Sequence, residues 1–432
     1  MRLTHIALVL SLAATLGACG TKAAATTAAP AGSGLPGQAL NLSSDQVIAR
    51  DQERIRTNAG DWTAVDELAA AYLQKVREVG DPSYYPKVEG LLRSAIEHDP
   101  SDSEATTQMG TLALARHQFT EALTWGQKAN ALAPYASRPL GIISDAQTQL
   151  GRYPEAIASL QQMVNQRPDL SSYSRVSYLR ELYGDVPGAI DAMQRAIQAG
   201  GPVPENLAYT EVLLGNLYFN AGKLSDAQGQ YQRALRDFPG YVQGIAGIAS
   251  VRAAQKEYGE AARLYQRAID IYPVPQYVIA LGDVFAASNN GKRAAETYDL
   301  AAAEQALFQA NGVDLDQELA LFSADHQRNL PTALAAARRA MRDRPNVVTA
   351  DTLAWTLYGA GDYPAALAAS HEAHRLGTLD ALFFFHSGMI EAKLGMKSEA
   401  RVDLGKALQI NPHFSLIHEQ ELRQTLASLD RA

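Results

Sequence analysis

An alanine recurs through most of the chain at intervals close to 34 residues, and this period constrains the fold more than any other sequence feature. A small or apolar residue usually follows seven positions after each alanine, and a proline often follows five positions later. Spacings of four and seven place side chains on one face of a helix, so each period predicts a pair of helices. The marker alanines are Ala122, Ala156, Ala189, Ala227, Ala261, Ala294, Ala333, Ala366 and Ala400.

The unit around Gly222 shows how one helix pair is built. Gly222 suits the left-handed turn that ends a first helix, and Pro239 stops the second helix. The small residues Gly215 and Ala227 allow the two helices to approach closely. Tyr231 is predicted to fill the space between this unit and its neighbour.

This pattern resembles the tetratricopeptide repeat family, and the segments 150–156 and 214–218 are closest to the family pattern. The resemblance implies an all-α fold, a right-handed superhelical solenoid of antiparallel helix pairs with about ten repeats over residues 62–414. HEAT and armadillo solenoids are the alternative, but their units are longer, at about 40–47 residues.

The spacing between the markers Ala294 and Ala333 is longer than the others, because a helix is expected to continue to about Asn311. This overrun is predicted to interrupt the regular superhelix. We expect it to divide the array into an N-terminal arm, residues 45–291, and a C-terminal arm, residues 292–414. Residues 415–432 are expected to form a capping helix, since the end of a solenoid needs a cover.

The first residues have the features of an export signal. Residues 1–18 combine an early cation with a short apolar run and small residues, as secretory signal peptides do. The quartet that ends at Cys19 resembles the lipobox of bacterial lipoproteins, which implies lipidation of Cys19, the one cysteine of the chain. An ordinary secretory signal is the alternative. Residues 19–44 are rich in Ala, Thr, Gly and Pro, a composition typical of a flexible tether.

The lipobox resemblance also implies a location. A lipid-anchored protein of this kind belongs to the bacterial cell envelope, outside the cytoplasm. In a bacterium with two membranes, the residue after the cysteine, Gly20, resembles the default for the outer membrane, with the folded part facing the periplasm.

Composition and motifs argue against chemistry. The net charge is −8, whereas proteins that bind nucleic acid usually carry a basic surface. The sequence contains no phosphate-binding loop, nucleophile elbow or zinc-protease motif, so we expect neither an enzyme nor a cofactor. His371 and His374 are spaced to share a metal, but a third ligand is not evident. We therefore expect two solvated histidines and no metal site, and the same holds for His413 and His418.

The family resemblance places the first helix of each pair on the concave face, where partners bind. In the third to fifth units the residues that should look into this groove are polar or aromatic, and a solvated helix face is the competing interpretation. The C-terminal arm adds an aromatic group that is either exposed or covered by the terminal helix. The candidates are Arg138, Asp145, Arg175, Tyr178, Tyr209, Asn216, Asn220, Trp355, Tyr358 and Phe385.

These features together predict a membrane-anchored, extracytoplasmic scaffold that binds protein partners in its concave groove. Envelope biogenesis, secretion and polysaccharide export are the assembly processes that the resemblance implies. The alternative is a lipoprotein that binds glycan or peptidoglycan directly, since aromatic and amide side chains serve that purpose as well.

Overall fold

The computed structural model describes residues 42–200 and 204–431, which form 22 helices and contain no strand. Helix α1 (Ser44–Thr57) comes first, ten antiparallel helix pairs follow, and α22 (Glu419–Arg431) comes last. The predicted all-α solenoid of about ten repeats is therefore confirmed.

The first helices of the ten pairs have the even numbers. They are α2 (Trp62–Val79), α4 (Ser103–Ala115), α6 (Ser137–Gln149), α8 (Leu170–Leu182), α10 (Pro204–Asn220), α12 (Val242–Ala254), α14 (Pro275–Ala287), α16 (Asp316–Asp325), α18 (Val347–Gly359) and α20 (Ala381–Lys393).

The second helices have the odd numbers. They are α3 (Tyr84–His98), α5 (Phe119–Leu132), α7 (Tyr153–Gln166), α9 (Val186–Ala199), α11 (Leu224–Asp237), α13 (Tyr258–Ile271), α15 (Gly291–Ala310), α17 (Leu330–Asp343), α19 (Tyr363–Ala373) and α21 (Lys397–Ile410).

Small residues set the distance between helices, as the sequence predicts. Gly222 has a φ of 71° in the turn between α10 and α11. The ring of Tyr231 lies between Gly215 of its own pair and Gly247 of the next. A Cβ atom added to either glycine would come within 2.5 Å of this ring. Tyr231 is 1% exposed, so the predicted filling of the space between units is confirmed.

The superhelix is tight enough for one turn to contact the next directly. The C-terminal ends of the first helices in pairs 2 to 5 lie against the loops that join later pairs. The side-chain bonds between them join residues 192 to 197 positions apart, which is between five and six units. We call pairs 1 to 5 the first turn of the superhelix, pairs 7 to 10 the second turn, and the contact between them the seam.

Four hydrogen bonds lie along the seam, each at the C-terminal end of a first helix. Helix ends leave backbone carbonyls without a partner in the helix, and here the second turn supplies the donors. The four bonds run from the nitrogen of Asp314 to the oxygen of Arg116 (2.9 Å), from Nδ2 of Asn346 to the oxygen of Gln149 (2.9 Å), from Oγ1 of Thr378 to the oxygen of Leu182 (2.5 Å), and from Nδ2 of Asn411 to the oxygen of Phe219 (3.0 Å).

The seam also buries charged groups. Nη2 of Arg344 lies 2.9 Å from a carboxylate oxygen of Glu318. His117 faces the same carboxylate, and its Nδ1 lies 2.8 Å from the oxygen of Asp314. Burial lowers the pKa of His117, although Glu318 opposes this effect. The imidazole is therefore held in the neutral form inside the seam.

Helix α15 has 20 residues, so the predicted overrun is confirmed. It ends at Ala310, and Gly312 follows with a φ of 84°. The backbone of Asp314 then enters the seam, so the additional turns carry the chain to this contact. The division into two arms at residue 291 stays a prediction.

Candidate functional site on the concave face

Neighbouring first helices pack against one another, whereas neighbouring second helices lie farther apart, so the first helices line the inner, concave face. Polar contacts join neighbouring first helices there. In the first turn Arg138 contacts Glu104 at 2.8 Å. On the next helices, Asn220 donates to Glu181 at 3.3 Å. Several of the predicted groove residues are therefore engaged in contacts between units.

Asp145 and Arg175 form a buried ion pair across α6 and α8, with 2.8 Å between Nη2 and the carboxylate. Burial raises the pKa of Asp145 to about 6, and the guanidinium of Arg175 limits this rise. Arg175 also donates to the backbone oxygen of Ser171 at 2.9 Å. Both side chains are less than 10% exposed, so they lie inside the protein and not in the groove as the sequence suggested.

Tyr209 and Asn216 are also buried, contrary to the exposure expected of them. Helix α10 begins at Pro204, before the start of the repeat, and Tyr209 packs in the core that surrounds Tyr231. Asn216 accepts a hydrogen bond of 2.8 Å from the hydroxyl of Tyr231. In this conformation both residues support the packing between α10 and α11.

Three of the groove candidates on the first turn remain partly exposed to solvent. Arg138, Tyr178 and Asn220 are partly exposed on the successive first helices α6, α8 and α10. Beside them, burial raises the pKa of Glu181 to about 7, and its bond with Asn220 opposes this rise. The accessible stripe of the first turn is thus polar, with one aromatic ring.

The aromatic group of the second turn is covered. Trp355 and Phe385 are 2% and 0% exposed, and Tyr358 stacks on Trp355 with 4.6 Å between ring centroids. The ring of Phe385 contacts Phe414 and His418 at centroid distances of 5.3 and 5.0 Å. Of the two alternatives left open by the sequence, the structure therefore shows coverage by the residues after α21. The helix itself begins only at Glu419.

A buried ionic contact fixes this cover. Nε2 of His418 lies 3.2 Å from Oδ1 of Asp325 on α16, and the indole of Trp355 donates to the same oxygen at 2.8 Å. Burial acts to lower the pKa of His418, but its bonds to Asp325 and Glu421 outweigh burial and raise the pKa to about 9. His418 is therefore a cation at neutral pH.

Sequence reasoning missed Asp325 and His418 as a pair. They lie 93 residues apart, and neither occupies a position that the repeat marks. Within the sequence the one available signal is that His418 follows the last unit, where a cover is needed.

Three further points concern metal binding, membrane-spanning helices and the N-terminal segment. No group of three His, Cys, Asp or Glu residues in the described part of the chain is arranged to hold a metal ion. No helix within that part is long and apolar enough to cross a membrane. The signal segment 1–18, Cys19 and most of the tether lie outside the described residues.

Residues 212–274 match the tetratricopeptide repeat family. They cover the last part of α10 and all of α11 to α13, and the same pairing continues through the other units. This segment carries tetratricopeptide repeats. A comparison with curated proteins finds no match.

Similar solved structures cover most or part of this chain. The structure titled "APC/C hetero-tetramer Cut9-Hcn1" is 18% identical, with a TM-score of 0.51 over 89% of this chain and 73% of that chain. A thermophilic tetratricopeptide protein of Thermus thermophilus is 22% identical, with a TM-score of 0.37 over 40% of this chain and 92% of that chain. The first similarity supports the solenoid architecture at the level of the fold alone.

Proposed function

We propose that the chain is a membrane-anchored scaffold outside the cytoplasm, which binds a segment of a partner protein on the concave face of its first turn. The tetratricopeptide fold suggests a protein-interaction scaffold. The observation that carries the proposal is the stripe of Arg138, Tyr178 and Asn220, which stays partly exposed on three successive first helices.

The chemistry of this stripe suits an extended peptide. An asparagine amide can both donate to and accept from a peptide backbone, and a tyrosine adds contact area with few rotatable bonds. Arg138 adds a cation, although Glu104 already accepts two bonds from it. The expected partner is therefore an envelope protein with an extended polar segment, in biogenesis, secretion or polysaccharide export.

Attachment to the membrane rests on Cys19 and the resemblance to a lipobox. Each buried methylene adds about 0.8 kcal/mol, so two or three acyl chains would hold the protein nearly permanently. Replacement of Cys19 by Ala should abolish labelling with a radioactive or clickable fatty acid in cells. Continued labelling of the Cys19→Ala protein would contradict the anchor.

The binding role is tested by crosslinking in intact cells followed by mass spectrometry. The test variant combines Arg138→Ala, Tyr178→Ala and Asn220→Ala. A matched control changes the same residue types outside the groove, at Arg195, Tyr135 and Asn165, which are exposed.

The proposal expects one defined envelope protein to be captured by the wild type and the control and to be lost from the groove variant. Equal capture by all three proteins would contradict it. Retention of the purified protein on peptidoglycan or polysaccharide, without any other protein, would favour the glycan-binding alternative.

A further inference from the structure

The residues between α21 and α22 cross the concave face of the second turn. We call residues 413–418 the strap. Phe414 packs on Phe385 of pair 10, and His418 reaches Asp325 of pair 8. Ile417 faces Gln276 of pair 7 across a small cavity.

The reach of the strap exceeds what a cover requires. A cap needs to shield only the exposed face of the last repeat, because each repeat contacts its neighbours. The strap instead contacts Asp325 on a first helix two units earlier, and it borders a cavity lined by α14, the first helix three units earlier. Such a course along the concave face is the course that a bound peptide follows in a solenoid.

The strap is incompletely packed on both sides. On one side a cavity of about 70 Å³ is lined by Ile417 of the strap and by Asp283 and His326. On the other side an open cleft of about 840 Å³ lies between the strap, α22 and the turns that end α12 and α14. The larger cleft is open to solvent. The strap is therefore held mainly by its buried residues, Phe414, Ser415 and His418, whereas Leu416 and Ile417 are only half-buried.

Phe414 and His418, the two residues that anchor the strap, indicate which ligand the surface beneath it would bind. An aromatic ring at position 414 meets the wall formed by Trp355 and Phe385, and a cation four residues later meets the carboxylate of Asp325. We propose that the concave face of the second turn is a peptide-binding site that the strap occupies in cis. In trans it accepts a partner segment with an aromatic residue and, four positions later, a cationic one.

This inference does not depend on the role proposed for the first turn, since the two sites lie on different helices. A tethered segment competes at a high effective concentration, so the site is hidden from a partner until the strap is loosened. Loss of the His418 contact should therefore increase the affinity for a peptide supplied in solution.

The test uses a fluorescent synthetic peptide with the sequence of residues 411–425 and the full-length protein. Its binding to the wild type, to His418→Ala and to the matched control His413→Ala is measured by fluorescence anisotropy. We expect His418→Ala to bind the peptide at least tenfold more tightly than the other two proteins. A peptide with alanine at both anchor positions should not bind, and adding Asp325→Asn to the His418→Ala protein should weaken binding.

Equal affinity of the three proteins, or undiminished binding of the doubly substituted peptide, would overturn the proposal. Circular dichroism checks that His418→Ala keeps its helices. If it does not, hydrogen exchange of residues 413–418 in the wild type gives the answer. These amides should exchange faster when saturating peptide displaces the strap, and unchanged exchange would overturn the proposal.

Discussion

Asn411 donates a hydrogen bond of 3.0 Å to the backbone oxygen of Phe219, 192 residues earlier in the chain. Asn346 makes the equivalent bond to Gln149 at 2.9 Å. In both cases a side-chain amide of the second turn donates to a carbonyl at the end of a first helix. In the seam, backbone carbonyls at the helix ends of the first turn thus accept hydrogen bonds from side chains of the second turn.

Replacement of Asn411 by Ala should destabilise the protein. The oxygen of Phe219 would keep only its bond from the nitrogen of Gly222, and the backbone nitrogen of His413 would lose its acceptor. Loss of such a hydrogen bond costs about 0.5–1.5 kcal/mol. Chemical denaturation measures the change in the free energy of unfolding. Asn165→Ala, on the exposed face of α7, is the control and should change it by less than about 0.5 kcal/mol. Similar values for both variants would show that the bond contributes nothing.

Two glycines with similar backbone angles, Gly151 inside the seam and Gly395 outside it, test the contact between the turns. Gly151 and Gly395 have φ values of 70° and 77°, so alanine suffers a similar local strain at both. A Cβ on Gly151 would lie 2.3 Å from the oxygen of Pro345, whereas nothing lies within 4 Å at Gly395. We expect Gly151→Ala to be less stable than Gly395→Ala by about 1–3 kcal/mol, through overpacking, in thermal or chemical unfolding. Equal losses would argue against contact between the turns at Gly151.

Ala227 tests the register of the repeat. It is 0% exposed between α10 and α11, so Ala227→Phe should reduce the stability by about 1–3 kcal/mol through overpacking. The exposed Ala158 on α7 is the control position for the same substitution. An unchanged midpoint of thermal unfolding for Ala227→Phe would be incompatible with the helix pairing described above.

His418 predicts a dependence of stability on pH. Its pKa is about 9 in the folded chain, above the ordinary value of 6.5, so the folded state holds the proton more tightly. The resulting stabilisation, about 3 kcal/mol, is complete below pH 6.5 and is lost as the pH rises through about 9. Unfolding of the wild type and His418→Gln should therefore differ most below pH 6.5 and converge above pH 9, with the exposed His371→Gln as control. A difference that grows with pH would contradict the ion pair.

Local sequence patterns predict the helix pairs well, because each pair is specified within one period. Gly215, Ala227 and Tyr231 lie close together in the sequence, and their contact follows from helical spacing alone. The overrun of α15 is visible for the same reason, as an unusually long interval between Ala294 and Ala333 that contains the helix-ending Gly312.

Contacts between distant units escape this reasoning. The length of the repeat does not determine the pitch of the superhelix, so it cannot indicate that Asn411 contacts Phe219. It also cannot separate a groove residue from a buried one. Asp145 and Arg175 look like exposed polar residues of single helices, and only the approach of α6 and α8 shows that they pair inside the protein.

The stacking of the two turns can be tested directly by crosslinking within one molecule. Tyr183 and Leu379 are both exposed, and they flank the contact of Gly184 with the second turn. Cysteines at these two positions, with Cys19 changed to Ser, should be joined by a short bifunctional maleimide in dilute protein. The control pair replaces Tyr183 by Tyr135, which lies outside the seam, and should not be joined. A Tyr183/Leu379 pair that stays unlinked in a fully helical protein would contradict the stacked turns.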